Sequence, residues 1–195
     1  MKGKCFSMCN RGQRNKSDFY QTPYSMIEQL LEHEWFTHGK TLLEPACGEG
    51  AIVKVLKKRG FKPQYSDIIE GTDFLKETEC FDYLITNPPY SLANEFILKA
   101  KKVIKNKFAM LLPISYLHGQ RRYKDIWTDT TFPLCRVHIF TRYPLLSSEI
   151  REDGKYKTCM QVYAWYVWKK QHPSMLAPRI HWIDNDKYVL RKGDK

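Results

Sequence analysis

Short strand-like runs alternate with helix-like segments along most of this chain, and that alternation strongly limits the folds it can adopt. Apolar runs of strand length occupy residues 40–44, 61–67, 81–86, 108–112, 136–140, 160–168 and part of 179–190. Helical patterns occupy residues 23–34, 51–59, 91–104 and 116–127. Strands separated by helices form βαβ units. We therefore predict an α/β protein with a mainly parallel seven-stranded sheet and helices on both of its faces.

Capping residues mark the ends of the first two helices. Thr22 is of the type that caps a helix N-terminus, and Pro23 suits the first helical position. Gly60 follows a basic turn and is typical of the residue that ends a helix. We expect the first helix to start at Pro23 and the second to end at Arg59.

The composition fits one folded domain that binds an acidic partner. Of the 195 residues, 43% are hydrophobic, which is enough for a full core, and the formal net charge is +11. So large a positive surplus on a small protein favours phosphate-bearing polymers, although a charge run is also typical of a solvated face. We predict a basic flexible arm at residues 1–17 and a single domain at residues 18–195.

The six cysteines and the length of the apolar runs argue against several other classes. Cys5 and Cys9 lie close together, but no further cysteines follow at the spacing of a zinc site, so we expect no metal. The apolar runs are strand-sized and the N-terminus lacks an apolar signal region, which predicts neither a membrane span nor secretion. We expect reduced thiols and a cytoplasmic protein.

A glycine turn joins the first strand to the second helix, with the sequence Glu44-Pro45-Ala46-Cys47-Gly48-Glu49-Gly50. Glycines let a ligand approach the backbone, and the helix that follows offers free N–H groups. The turn lacks the GxGxxG spacing of dinucleotide binders and the lysine of a P-loop. At the end of the next strand, the carboxylate of Asp67 can accept hydrogen bonds from two ribose hydroxyls, although a surface turn acid fits the position equally well.

The tetrapeptide Asn87-Pro88-Pro89-Tyr90 directly follows the strand at residues 81–86. Two prolines in a row forbid a helix and hold the residues before them extended, so the strand ends in a stiff corner. An amide, a carbonyl and an aromatic ring at such a corner suit one task. They can accept hydrogen bonds from a planar exocyclic amine while stacking on the ring that bears it.

Taken in order, these pieces resemble the S-adenosylmethionine-dependent N6-adenine DNA methyltransferases. The order of the threonine-proline pair, the glycine turn, the acidic residues and the Asn-Pro-Pro-Tyr motif matches their gamma arrangement. The resemblance is closest to the compact enzymes encoded by bacteriophages, which implies the host cytoplasm, and it covers about residues 18–170. It implies a Rossmann-like methyltransferase fold, S-adenosylmethionine as cofactor and DNA as partner. No large separate target-recognition domain is expected, so sequence specificity stays open.

The resemblance also implies the roles of individual residues. Those expected around S-adenosylmethionine are Tyr20, Thr22, Pro23, Glu44, Pro45, Ala46, Cys47, Gly48, Asp67, Ile68, Asp73, Phe74 and Asn87. Those expected to act on the amine are Asn87, Pro88, Pro89 and Tyr90. Relatives carry varied small residues at the position of Cys47, where we expect a packed thiol and not a nucleophile.

The implied mechanism needs no carboxylate base. The Asn87 side-chain oxygen and the Pro88 carbonyl each accept one N6–H, which draws the nitrogen towards sp³ geometry and aims its lone pair at the methyl group. Tyr90 stacks on the target base, which must be flipped out of a duplex or already unpaired. The alternatives are an RNA adenine, a cytosine N4 amine, a protein glutamine, which the basic charge disfavours, and a nucleic-acid-binding relative without turnover.

Basic and aromatic residues outside this motif have two interpretations each. Phosphate contacts are expected from some of the cations in the segment after residue 113 and in a polar loop at residues 141–158, the others being only solvated. The candidates are Arg121, Arg122, Lys124, Arg142, Arg151 and Lys155. The aromatic run at residues 163–168 alternates like a strand, which favours core packing over base stacking.

Overall fold

The computed structural model describes residues 22–141, 162–170 and 177–184. The α-helices in these ranges are α1 (Tyr24–His33), α2 (Ala51–Lys58), α3 (Ala93–Val103) and the single turn α4 (Gln120–Arg122). The strands are β1 (Leu42–Glu44), β2 (Gln64–Tyr65), β3 (Phe81–Thr86), β4 (Ile104–Pro113), β5 (Leu134–Phe140), β6 (Tyr163–Lys169) and β7 (Arg179–Ile183). No helix within these ranges is long and apolar enough to cross a bilayer.

All seven strands belong to one sheet, in the order β2-β1-β3-β4-β6-β5-β7. Four of the six pairings are parallel, whereas β6 is antiparallel to both of its neighbours, β4 and β5. The prediction of a mainly parallel seven-stranded sheet is confirmed, with the qualification that the sheet is mixed. Because β4 and β5 both oppose β6, they run in the same direction as each other.

The strand order reverses at β1, because β2 lies on one side of β1 and β3 lies on the other. Such a reversal leaves a crevice at the carboxyl ends of the two parallel strands β1 and β3. We call the edge of the sheet where β1, β3 and β4 end the carboxyl edge, and the opposite edge the amino edge.

Two apolar clusters cover the two faces of the sheet. One packs α1 and α2 against residues such as Leu111 and Trp165, and the other packs α3 against residues such as Met110 and Tyr166. Successive residues of β4 and β6 alternate between the clusters, as the period of a strand requires. The first six residues of β6 are buried, which confirms core packing for this aromatic run.

The first helix and the second strand differ from the predicted element boundaries. Pro23 occupies the N-cap position and α1 starts at Tyr24, so the prediction that Thr22 caps this helix is wrong. Instead, the Thr22 side chain accepts a hydrogen bond from Asn87. The second strand shrinks to Gln64–Tyr65, because the chain after it turns into a 3₁₀ helix at Ile68–Glu70.

The predicted helix at residues 116–127 is broken into three pieces. A 3₁₀ helix (Ile114–Leu117) is followed by α4 and then by a π-helical turn (Tyr123–Trp127). The break lies at Gly119, whose φ of +134° is one that L side chains rarely adopt. Residues 91–104 also divide, since Tyr90–Leu92 is a 3₁₀ turn before α3.

Candidate functional site

A cavity of about 470 Å³ lies at the carboxyl edge, lined by the segments that follow β1, β2 and β3. Most residues predicted to bind the cofactor or to act on the amine line this cavity. They are Thr22, Pro45, Ala46, Cys47, Asp67, Ile68, Asp73, Phe74, Asn87, Pro88, Pro89 and Tyr90. The fold therefore brings together three sequence segments whose residues are up to 45 positions apart, as Pro45 and Tyr90 are. It adds Thr22 from before α1.

Three predicted cofactor residues among those described do not line the cavity. Pro23 is the N-cap of α1, and Gly48 lies within the turn, where its N–H is used internally. Glu44 is fully buried behind the wall. Tyr20 lies outside the described residues, as do the predicted phosphate-binding residues Arg142, Arg151 and Lys155.

The glycine turn is held in place by hydrogen bonds to the end of β2. The Gly48 N–H donates to Asp67 Oδ2 at 2.8 Å, and the Cys47 N–H donates to the Ser66 carbonyl at 3.1 Å. Gly50 caps α2 with a φ of +78°, in the left-handed region that glycine tolerates. No atom lies within 4 Å of the position that a Cβ would take at Gly50, so its backbone angle, and not crowding, favours glycine.

Asp67 is a buried carboxylate that organises the rim of the cavity. Its Oδ1 accepts the Ile69 N–H at 2.9 Å, which caps the 3₁₀ helix, while Oδ2 binds the glycine turn. Each carboxylate oxygen has two lone-pair sites, so each can accept one more hydrogen bond. Asp67 can therefore hold two hydroxyl groups without losing its bonds to the protein.

Asp73 and Phe74 form the wall opposite the glycine turn. The Asp73 carboxylate caps a second 3₁₀ helix by accepting the Leu75 N–H at 3.0 Å, and it lies 3.5 Å from the Lys76 ammonium. The Phe74 ring packs on Phe96 of α3, with 5.0 Å between the ring centroids. This wall is apolar, with one carboxylate at its edge.

Glu44 joins the glycine turn to the strand that carries the Asn-Pro-Pro-Tyr corner. Its Oε1 accepts the Ala46 N–H at 3.1 Å and the Thr86 hydroxyl at 2.6 Å. Burial raises the pKa of Glu44 to about 8, with a smaller contribution from the nearby charge of Asp67, although the two hydrogen bonds oppose the shift. Glu44 is therefore a neutral carboxylic acid at pH 7.

Cys47 lines the cavity as a thiol. Burial, together with the negative charges of Asp67, Glu44 and Glu70, raises its pKa to about 11. Its Sγ lies 3.7 Å from the Gly48 carbonyl. A thiol with so high a pKa is a poor nucleophile at neutral pH, in agreement with the expectation of a packed residue.

The corner at residues 87–90 is fixed from both sides. The Asn87 Nδ2 donates to Thr22 Oγ1 at 3.0 Å, and this bond sets the rotation of the amide. The Tyr90 ring lies 5.7 Å from the ring of Tyr163 on β6. The two prolines of the corner line the cavity between these residues.

Several lining residues were not predicted. They are mostly apolar, and they are Ala51, Ile52, Ile69, Thr72, Leu75, Leu92 and Phe96; Glu49 lines the cavity as part of the glycine turn, as expected. Ile69 carries the clearest signal, because it stands beside Ile68 in an otherwise polar stretch and both are exposed at the rim. Phe96 resembles any other core residue of an amphipathic helix, so the sequence offers no signal for it.

The three described cations predicted to bind phosphate differ in their surroundings. Arg121 is exposed and lies 3.5 Å from Asp125, and Lys124 is exposed as well. Arg122 instead donates from Nε to the His118 carbonyl at 2.9 Å. Among the described residues, no three His, Cys, Asp or Glu side chains are grouped so that they could hold a metal ion.

Comparison with known proteins gives a match in structure and none in sequence. No family model matches the chain, and no curated protein matches it. Among solved structures, it is similar to a modification subunit assigned to a type I restriction enzyme of Vibrio vulnificus, with a TM-score of 0.58 and 14% identity. That match covers 82% of this chain and 46% of the subunit, so the chain spans about half of the length of that protein.

Two further similar structures are of proteins smaller than that subunit. One, from Pyrococcus horikoshii and assigned as an RNA methyltransferase, gives a TM-score of 0.55 and 15% identity over 82% of this chain and 90% of its own. The other is magnesium protoporphyrin IX methyltransferase from Synechocystis with bound S-adenosylmethionine, at a TM-score of 0.52 and 15% identity over 75% of this chain and 77% of its own. The chain thus has the Rossmann-like fold of S-adenosylmethionine-dependent methyltransferases, as predicted.

Proposed function

We propose that this protein transfers the methyl group of S-adenosylmethionine to the exocyclic N6 amine of adenine in DNA. The observation that carries the proposal is that Asn87-Pro88-Pro89-Tyr90 lines the same cavity as the glycine turn and Asp67. A group able to accept two amine hydrogens therefore lies beside a cradle suited to a nucleoside. A similar fold in a DNA modification subunit and the net charge of +11 support a nucleic-acid substrate.

S-adenosylmethionine is the cofactor, and the residues of the cavity fit it. Gly50 leaves open space beside the turn, and Asp67 can accept two more hydrogen bonds, as the two hydroxyls of a ribose require. The side chains of Ile68 and Phe74 offer apolar surface for an adenine ring. When bound, this cofactor supplies a methyl group activated by a positively charged sulfur.

The residues of the corner prepare the amine. The Asn87 side-chain oxygen and the Pro88 carbonyl accept its two hydrogens, which localises the lone pair on nitrogen and stabilises the positive charge that develops there. Because Thr22 and the prolines hold these acceptors in place, little reorganisation is needed during transfer. The proton leaves after transfer, so the neutral Glu44 is not required as a base.

A base inside a duplex cannot enter this cavity, which lies in the crevice of the sheet. The substrate must present the adenine flipped out or unpaired, and Tyr90 then stacks on it. Methyl transfer to duplex DNA, single-stranded DNA and RNA, followed by mass identification of the modified nucleoside, tests the substrate class. N6-methyladenine in DNA is expected, whereas N4-methylcytosine or a product in RNA alone contradicts the proposal.

The Asn87→Ala variant tests the role of the corner. We expect the rate of methyl transfer to fall at least about 100-fold, because one hydrogen bond that stabilises the transition state is lost. Binding of S-adenosylmethionine, measured by calorimetry, should be retained. Asn106→Ala is the matched control, since Asn106 is exposed on the amino side of β4 and donates to Asp82. Full activity of Asn87→Ala refutes the assigned role.

A further inference from the structure

The segment at residues 114–127, here called the β4 lobe, leaves the sheet beside the candidate active site. It follows β4, the strand next to β3, and Thr86 of β3 is level with Met110 of β4. Because these two strands are parallel, the lobe and the Asn-Pro-Pro-Tyr corner both emerge at the carboxyl edge. Any strand of nucleic acid that presents a base to the corner passes near this lobe.

The inner side of the β4 lobe is anchored by aromatic packing. Trp127 stacks on Trp168 of β6 with 6.2 Å between the ring centroids and meets the Tyr116 ring edge-on at 6.3 Å. The Tyr116 hydroxyl donates to Asn94 on the first turn of α3, directly after the corner. The lobe is thus tied to the helix that follows the candidate catalytic residues.

Arg122 belongs to the internal structure of the β4 lobe. Its guanidinium lies 4.5 Å above the Tyr116 ring and donates to the His118 carbonyl. It also fills the space beside Gly119, where an added Cβ would lie 2.9 Å from a guanidinium nitrogen. Arg122 therefore holds the turn together. The cations available to a ligand are its exposed neighbours Lys124 and Arg121, the second of which would exchange an exposed ion pair with Asp125 for a phosphate.

The outer side of the β4 lobe presents Tyr123. Its side chain is 62% exposed, which makes it the most exposed tyrosine of the described residues. Arg121 and Lys124, both exposed, are three positions apart on a helical segment and so lie on neighbouring surface. An exposed aromatic ring on the same short segment as two exposed cations suits single-stranded nucleic acid, because the ring can stack on a base while the cations contact phosphates on either side of it.

We propose that Tyr123 stacks on an unpaired base next to the target adenine, and that Arg121 and Lys124 contact the phosphates beside it. This inference rests on the proposed function, because it takes the nucleic-acid strand to be the one that enters the active site. It adds a preference for substrates in which the neighbour of the target is also unpaired. Bases within a duplex are already stacked on one another and leave no face for Tyr123.

The test compares Tyr123→Ala with Tyr123→Phe, which keeps the ring, in binding to a fluorescein-labelled single-stranded oligodeoxynucleotide by anisotropy. We expect the dissociation constant to be about 5-fold to 150-fold larger for Tyr123→Ala and to change little for Tyr123→Phe. Trp35→Ala is the control, because the Trp35 ring is 80% exposed and its carbonyl binds Lys107, towards the amino edge. Circular dichroism establishes that each variant is folded.

A second set of oligodeoxynucleotides carries an abasic site on the 5′ or the 3′ side of the target adenine. If Tyr123 stacks there, one of the two abasic sites weakens binding by the wild-type protein and removes the effect of Tyr123→Ala. An effect of Tyr123→Ala that is equal on all three oligodeoxynucleotides overturns the proposal, as does wild-type affinity of the variant.

The outcome is separable from that of the proposed function. Anisotropy needs no methyl transfer, so a wild-type protein that binds the oligodeoxynucleotide through Tyr123 but transfers no methyl group contradicts the proposed function alone. A wild-type protein that methylates duplex DNA, and whose Tyr123→Ala variant does so equally well while binding single strands normally, contradicts this inference alone.

Discussion

Two buried glutamates in different parts of the fold have opposite protonation, although their side chains are chemically identical. Glu34, 4% exposed, follows α1 and accepts hydrogen bonds from Lys107 Nζ at 2.9 Å, from Arg136 and from His138 Nε2 at 2.8 Å. Burial alone would raise its pKa, but these three partners outweigh burial and hold the pKa far below the usual 4.5. Glu34 is therefore ionised.

Glu44 is fully buried and has only neutral partners, the Thr86 hydroxyl and the Ala46 N–H. Its pKa rises to about 8 because no cation balances the burial. The comparison teaches that burial decides little by itself about the charge of a carboxyl group in this protein. Its partners decide whether the group is an anion that holds elements together or a neutral acid beside the candidate site.

The largest effect is expected at Glu34. The Glu34→Gln variant leaves the charges of Lys107 and Arg136 without their carboxylate, which we expect to lower the free energy of unfolding by about 3–5 kcal/mol. Urea unfolding at pH 7 measures this. The control is Glu28→Gln, which breaks a more exposed pair with Arg59 and should lower the same quantity by less than about 1 kcal/mol. If both variants lost the same free energy of unfolding, the buried ion pairs of Glu34 would stabilise the protein no more than the exposed pair of Glu28.

A smaller effect is expected at Thr86, the partner of the neutral glutamate. Thr86→Val keeps the shape of the side chain but removes the donor to Glu44 and leaves a buried oxygen with one partner fewer. We expect the free energy of unfolding to fall by about 1–3 kcal/mol. Thr86→Ser keeps the hydroxyl and is the matched control. A larger loss in Thr86→Ser than in Thr86→Val would mean that packing of the methyl group matters more than the hydrogen bond.

The two glutamates should also respond to pH with opposite signs. Because the folded pKa of Glu44 lies above the usual 4.5, the folded state retains a proton that the unfolded state loses, so its contribution to stability falls as the pH rises from 4.5 to about 8. Glu34 has a lowered folded pKa. Its contribution is complete above the usual pKa and is lost on acidification.

The smallest change at low pH is expected in Glu44→Gln, whose amide is neutral at every pH. At pH 5 its free energy of unfolding should differ from that of the wild type by less than about 1 kcal/mol. Between pH 5 and 8 the free energy of unfolding of the variant should not show the decline that we attribute to Glu44. Urea unfolding at several pH values measures this. Glu79→Gln, at an exposed position, should keep the wild-type slope. A Glu44→Gln profile parallel to that of the wild type would show that Glu44 is ionised throughout.

Much of the fold and of the site followed from local sequence. The strand at residues 81–86 and its proline corner lie where they were predicted, because prolines restrict their own backbone wherever the chain goes. The glycine turn and the helix after it also follow from neighbouring residues. Some predicted boundaries were wrong for local reasons, such as the break at Gly119, and others because a distant partner intervened. Thr22 binds Asn87, 65 positions away, and does not cap α1.

Residue types and their order thus determined the alternation of strands and helices, the stiff corner and the glycine cradle, since each depends on contacts within a few positions of the chain. Only the tertiary structure decided the charge of the two glutamates and the antiparallel course of β6. The physical reason is distance along the chain. Glu34 is ionised because Lys107 and His138, 73 and 104 positions away, pack against it, and no local pattern specifies such partners.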